Sequence, residues 1–195
     1  MYGDAGTATL IEKSENSESF FSLYSDGSGY KSIMIEAGGA RCPADTNNIT
    51  PIEVEDGNIR AKNQVYMDGL EVFNFTLKVV PKSINEILSY AGKENNQIYY
   101  FVFHQANRFM IDFFVKKLKI DTQKVPISLD TFGNVSSPTI PLTITSRLHG
   151  LLNENTQLLL SGFGAGLSWG AAIVNLGLDS IVAMTSGKMG NLGSV

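Results

Sequence analysis

The groups in this sequence that are able to do chemistry are few: two histidines, a single cysteine, an asparagine in a glycine turn and a glycine-rich backbone run. His104 directly follows the apolar run Ile98–Phe103, and in open α/β sheets ligand-binding groups gather beyond the carboxyl ends of strands. Its imidazole can donate a hydrogen bond or carry a proton there, or it can be a histidine merely bonded at a strand terminus. Asn134 lies in Phe132-Gly133-Asn134-Val135-Ser136-Ser137, as an amide donor or as an asparagine that holds its own turn. Gly162-Phe163-Gly164-Ala165-Gly166 can present backbone N–H groups to an oxyanion or can be a plain hairpin turn. No Lys-Ser/Thr follows it, so it is no phosphate loop. Cys42, in Gly38-Gly39-Ala40-Arg41-Cys42-Pro43, has no amphipathic helix after it to activate a thiolate and reads as an inert packing residue. His149 falls in a helix end over Ser146–Gly150, where a cation suits the dipole and no partner is suggested.

These groups need elements to hold them. Ile98–Phe103 is continuous, β-branched and aromatic, as expected of a strand buried on both faces. Asn107 is placed to cap a following helix with Met110, Ile111, Phe114, Val115 and Leu118 inward and Lys116, Lys117 and Lys119 near its end. Ile127–Leu129 leads into the Asn134 loop, and a helix carrying Leu142, Ile144, Leu148 and Leu151/Leu152 follows Pro138 and Pro141. Gln157–Ser161 and Ser168–Leu176 read as strands joined by the glycine turn.

Upstream, Ala8–Ile11 and Phe20–Tyr24 suggest a hairpin, and Ser25–Asn63 is a glycine-rich excursion with strand fragments such as Ile33–Ile35. From Asp68, Leu70, Val72/Phe73, Leu77 and Val80 recur at helical spacing. Pro81 is expected to end that helix and open a second, with Ile84, Ile87, Leu88 and Ala91 inward and Gly92 as its cap. Residues 177–195 lack sustained periodicity and are expected to form a mobile tail.

Composition narrows the classes. A chain of 195 residues, 43% hydrophobic and 17% charged, is long enough to bury a core. Its net charge of −4 and scattered Lys and Arg give no basic stripe, which argues against nucleic acid. No apolar run approaches the ~20 residues of a membrane helix, and no signal sequence is recognisable, so no membrane association is expected and the expected setting is cytoplasmic. With one cysteine, an internal disulfide and a multi-cysteine metal site are excluded.

Three segments, His104-Gln105-Ala106-Asn107, Gly133-Asn134-Val135-Ser136-Ser137 and Gly162-Phe163-Gly164-Ala165-Gly166-Leu167-Ser168-Trp169-Gly170, together resemble in order and spacing the consecutive signatures of β-ketoacyl-acyl carrier protein synthase III (3-oxoacyl-acyl carrier protein synthase III). Met67-Asp68-Gly69-Leu70-Glu71-Val72-Phe73 and Gly3-Asp4-Ala5-Gly6-Thr7-Ala8 add to the likeness, which runs from about Gly3 to Leu176. The resemblance implies a thiolase-like α/β fold: the carboxy-terminal half, a mixed sheet flanked by helices, plus the last hairpin of the amino-terminal half. The implied division is residues 1–25 for that hairpin, 26–176 for the carboxy-terminal domain and 177–195 for the tail.

The resemblance also implies roles. His104 and Asn134 would be the decarboxylating pair, Phe163 the aromatic lining, Ala165 an oxyanion N–H donor and Arg108 a carrier-protein contact. Ala165 stands where the family usually has glycine, and the family's arginine falls one place early, as Arg108. The substrates implied are acyl-CoA and malonyl-acyl carrier protein, with no cofactor and no metal. The family's nucleophilic cysteine lies in the amino-terminal half, and Cys42 does not match its motif. A lone chain is therefore expected to be inactive, to need a separate amino-terminal half and to self-associate through the face that half would cover. The alternative to an enzyme fragment is a non-catalytic split half that acts as an assembly module.

Overall fold

The computed structural model describes residues 2–11, 13, 17–54, 57–153 and 155–177. Its centre is a four-stranded mixed sheet of β1 (Phe20–Ser25), β6 (Tyr100–Phe103), β7 (Thr156–Gly164) and β8 (Ser168–Leu176) in the order β1-β8-β7-β6. β6 runs parallel to β7, while β7–β8 and β8–β1 are antiparallel. Two small ladders lie outside it: β2 (Ile33–Ile35) with β5 (Val65–Met67), and β3 (Ile52–Glu53) with β4 (Ile59–Arg60).

Among the described residues five α-helices accompany the strands: α1 (Thr46–Ile49), α2 (Gly69–Tyr90), α3 (Arg108–Leu118), α4 (Leu129–Phe132) and α5 (Thr139–Arg147). The alternation of strand side chains sorts them into layers. Phe101, Phe103, Leu159, Ala171 and Ile173 face α2 and α3, where Ile84, Ile87, Ile111 and Phe114 close a dry core. Val102 and Leu158 face the other way and pack with Leu148, Leu152, Ile140 and Ile144 on and just beyond α5. The α/β class and the helix-flanked mixed sheet are those the sequence predicts.

Two local expectations are corrected. The first concerns Pro81, which does not divide the helix: α2 is continuous over 22 residues with Pro81 buried inside it. Proline in a helix interior costs ~3 kcal/mol. However, Val72, Thr76, Val80, Ile84 and Leu88 form one unbroken i, i+4 row through it. Val80, Ile84 and Ile87 are fully buried, and at ~1.5–3 kcal/mol per large side chain their burial outweighs the lost bond. Gly92 does terminate the helix, at φ +62, with Lys93 N–H bonded to the Leu88 carbonyl at 2.9 Å.

The second correction is the hairpin of Ala8–Ile11 with Phe20–Tyr24, which does not form. Residues 8–11 carry no strand, and β1 pairs instead with β8, Phe20 opposite Ile173. Phe20 packs on the α2/α3 core, so burial rather than proximity along the chain selects the partner. Phe20–Ser25 is thereby an outer strand of the central sheet. Of the expected tail, all but Gly177 lies outside the described residues.

Candidate active site

His104 continues the register of β6 by one residue, its N–H bonded to the Ser161 carbonyl at 2.8 Å. Since Phe103 faces α2 and α3, alternation turns His104 toward α5, where Nδ1 meets the Thr139 hydroxyl at 2.6 Å. The ring is also held edge-on by Phe163, centroids 5.2 Å apart, and Phe163 leans in turn on Phe114. Burial pushes the imidazole down from its usual value to about 4, so His104 is neutral at pH 7. One ring nitrogen is committed to Thr139, leaving Nε2 for a ligand.

Asn134 is fixed by a turn that only a few backbone conformations permit. Gly133 has φ +68 and Ser136 φ +61, which folds the loop so that Ser136 N–H donates to Asn134 Oδ1 at 2.9 Å. With the amide oxygen occupied, the Nδ2 hydrogens are the free end of the side chain. The asparagine therefore does hold its turn through its side chain, and in doing so presents a donor. Its carbonyl accepts the Gly3 N–H at 3.0 Å, and Tyr2 forms a parallel bridge to it. A Cβ on Gly3 would collide with the Phe132 carbonyl, so glycine is what lets the early segment lie against this loop.

The loop that orients Asn134 runs straight into α5, whose first residue holds the His104 ring. Both side chains are thereby set by one segment. Thr139 and Ser136 were not singled out by sequence reasoning. The signal available was a hydroxyl just after Pro138, at the first position of the helix that follows the Asn134 loop.

The remaining candidates are placed as follows. Ala165 and Gly166 form the turn between β7 and β8; Gly166 has φ +142, and a Cβ there would strike Ser168. Leu167 ties this turn to Asp26 through two backbone bonds of 2.8 and 2.9 Å. Arg108 opens α3 and is exposed, paired with Asp112 at 2.8 Å. Cys42 lies in the excursion, bridged to Gly39 with Asn48 Nδ2 3.8 Å from its sulfur. His149 is exposed beyond the end of α5. Two cavities, of about 730 Å³ beside Met34, Ile52 and Tyr66 and about 530 Å³ beside Tyr24, Lys78 and Trp169, are not lined by His104 or Asn134. Among the described residues no group of three or more His, Cys, Asp or Glu is placed to hold a metal ion, and no helix is long and apolar enough to cross a membrane.

A neutral imidazole and a neutral amide, each with one heteroatom occupied, are suited to stabilising an oxygen that gains negative charge. They do so without carrying a charge that must first be desolvated.

The architecture is that of a thiolase-like α/β half. A crystal structure of 3-oxoacyl-(acyl-carrier protein) synthase from Burkholderia xenovorans LB400 is 36% identical, matching 84% of this chain and 45% of its own with a TM-score of 0.73. The β-ketoacyl-[acyl carrier protein] synthase III structure from Thermus thermophilus is 32% identical, with a TM-score of 0.69 over 85% of this chain and 48% of its own. The family profile described as 3-Oxoacyl-[acyl-carrier-protein (ACP)] synthase III C terminal matches residues 88–176. The β-ketoacyl-[acyl-carrier-protein] synthase III of Clostridium acetobutylicum is 37% identical over 176 residues, 89% of this chain and 51% of that protein. The chain belongs to the 3-oxoacyl-acyl carrier protein synthase III family, whose carboxy-terminal half it carries, and it spans about half the length of the curated relatives it matches.

Proposed function

We propose that this chain is the decarboxylating half of a ketoacyl synthase that extends an acyl thioester with malonyl-acyl carrier protein, in a cytoplasmic pathway of fatty-acid or related acyl-product synthesis. Loss of carbon dioxide breaks the malonyl carbon–carbon bond and leaves its electron pair in a thioester enolate. His104 Nε2–H and Asn134 Nδ2–H donate to the enolate oxygen. The enolate carbon then attacks an acyl group carried on a cysteine of the amino-terminal half, and the thiolate leaves. The Ala165 N–H serves the oxyanion of that second step, Phe163 lines the acyl side, and Arg108, at the exposed start of α3, contributes to carrier-protein docking. No cofactor is required, because both carbon–carbon steps move electron pairs between substrate atoms.

The observation that carries this reading is the complementary commitment of the two side chains: Asn134 Oδ1 to Ser136 N–H and His104 Nδ1 to Thr139. Removing one oxyanion donor commonly costs about 10²–10³ in rate. With the amino-terminal half present, His104→Ala and Asn134→Ala should each lower carbon dioxide release from malonyl-acyl carrier protein by that factor. Release within threefold of the parent in both variants sinks the reading. Without that half, the chain should form no ketoacyl product, since Cys42 does not match the motif of the family's nucleophile and has no activating helix after it.

An assembly role is favoured by a separate observation. β1 is a sheet edge, and on the face opposite Phe20 it leaves Phe21 63% and Leu23 78% exposed. An apolar strip beside an unpaired edge is a docking surface for the other half or for a second copy. Light scattering should show concentration-dependent self-association that Phe21→Lys with Leu23→Lys abolishes; a strictly monomeric parent chain ends the second-copy reading.

A further inference from the structure

We propose that the Thr139 hydroxyl is a positioning group that fixes the His104 imidazole as the tautomer with its proton on Nε2. Thr139 is 1% exposed, and its hydroxyl meets His104 Nδ1 at 2.6 Å. A buried hydroxyl has one proton that needs an acceptor. If Nδ1 were protonated it would donate to Oγ1, and the hydroxyl proton would have no acceptor among the described residues. If Nδ1 is bare, the hydroxyl donates to it and both groups are satisfied, which places the ring proton on Nε2.

The rest of α5 shows that Thr139 is used differently from its neighbours. Thr143, Thr145 and Ser146 each turn their hydroxyls back onto the carbonyl four residues earlier, of Thr139, Pro141 and Leu142, at 2.7, 3.0 and 2.6 Å. At the first helical position the corresponding carbonyl lies outside the helix, and the Thr139 hydroxyl turns to His104 instead. Its place is itself held. Thr143 spends its only proton on the Thr139 carbonyl, so Ser128 is the donor in the 2.7 Å contact between the Ser128 and Thr143 hydroxyls. Ser128 N–H donates to Gln105 Oε1 at 3.1 Å, and Gln105 Nε2 donates to the Phe103 carbonyl at 2.9 Å. This buried circuit joins the end of β6 to the start of α5, fixing hydroxyl and imidazole relative to each other.

The value of that tautomer for decarboxylation rests on the function proposed above; the tautomer itself does not. It can be read near neutral pH by two-bond ¹H–¹⁵N correlation of the imidazoles in the full chain, where exposed His149, the second of two histidines, serves as internal reference. An unsatisfied buried hydroxyl is costly enough to bias the ratio by about tenfold or more. In the parent and in Thr139→Ser, His104 should be Nε2-protonated to at least that extent. Thr139→Val, isosteric but without a hydroxyl, should lose the bias and populate the Nδ1–H form. An Nδ1–H ring in the parent, or a ratio unchanged in a folded Thr139→Val, overturns the inference. If Thr139→Val does not fold, the parent and Thr139→Ser spectra decide alone, an Nδ1–H ring in either overturning it. Nε2–H in the parent together with undiminished decarboxylation in His104→Ala would remove the proposed function and leave this inference standing.

Discussion

The end of the central sheet that carries His104 and the excursion between β1 and α2 are built on opposite plans. Around His104 the strand residues Phe101, Val102 and Phe103 are fully buried, and Gln105, Ser128, Thr139 and Thr143 form a polar circuit that is 0–1% exposed. From residue 26 to 68, Ala37 and Ala61 are the only buried side chains among the described residues. Its ladders are two or three residues long, and Ile35, Ile52, Ile59 and Val65 are more than half exposed. Both regions are hydrogen-bonded; only one is packed. Bonds to water replace most of what a surface ladder gains, so hydrogen bonding alone contributes little net stability, whereas burial is worth ~25 cal/mol per Å². The candidate site is therefore positioned by the part of the molecule that is last to open.

The widest separation between the regions should appear on truncating an apolar side chain in each. Phe101→Ala removes a fully buried ring from the sheet core and should cost about 3–5 kcal/mol. Ile59→Ala, at a side chain 72% exposed, should stay within ~0.5 kcal/mol. Urea unfolding followed by far-ultraviolet circular dichroism measures both. Comparable losses would mean that the excursion is part of the cooperative core and would break the comparison.

A smaller effect distinguishes the regions by pH. In the folded chain burial holds His104 near 4, below the usual 6.5. The unfolded state therefore takes up a proton at higher pH than the folded one. The stability from keeping His104 neutral is fully present above about pH 6.5 and is lost as pH falls toward 4, in total on the order of 3 kcal/mol. Between pH 6.5 and 5, above the main carboxylate range, the slope of stability against pH should flatten in His104→Gln. An unchanged slope would show that the ring is not held neutral by its surroundings.

What the sequence made legible follows the same division. The inward face of α3, Met110, Ile111, Phe114, Val115 and Leu118, is readable from its 3.6-residue period because one helix presents one face to one core. The β7–β8 hairpin is readable because its glycine turn and both strands are adjacent in the chain. The motifs around His104 and Asn134 can be placed at a strand end and in a loop before a helix for the same reason. The pairing of β1 with β8 was not legible, since nothing local to Phe20 specifies Ile173. Nor was the Thr139–His104 contact, which exists only once α5 docks on the back of β6. Pro81 misled because propensity is a local quantity, whereas the row of buried side chains on either side of it acts over the whole helix.

The finest test compares two helix caps of nearly equal geometry in the two regions. Asn107 Oδ1 accepts the Met110 N–H at 2.9 Å and opens α3. Asp45 Oδ1 accepts the Asn47 and Asn48 N–H groups at 2.8 and 3.0 Å and opens α1. By bond count Asp45 is the better cap. But α3 carries five buried side chains, whereas α1 is four residues long and buries none. Removing a cap costs about 1 kcal/mol when the helix must still form in the folded state. It costs less when the turn can fray without exposing apolar surface. Asn107→Ala should therefore lower global stability by about 1 kcal/mol, and Asp45→Ala by no more than a few tenths. Amide exchange adds the local view: loss of the Asp45 cap should speed exchange at Asn47 and Asn48 and leave β6 unchanged, while loss of the Asn107 cap should speed it at Met110. If Asp45→Ala instead destabilises the chain as much as Asn107→Ala, the excursion is energetically continuous with the site scaffold despite its exposure.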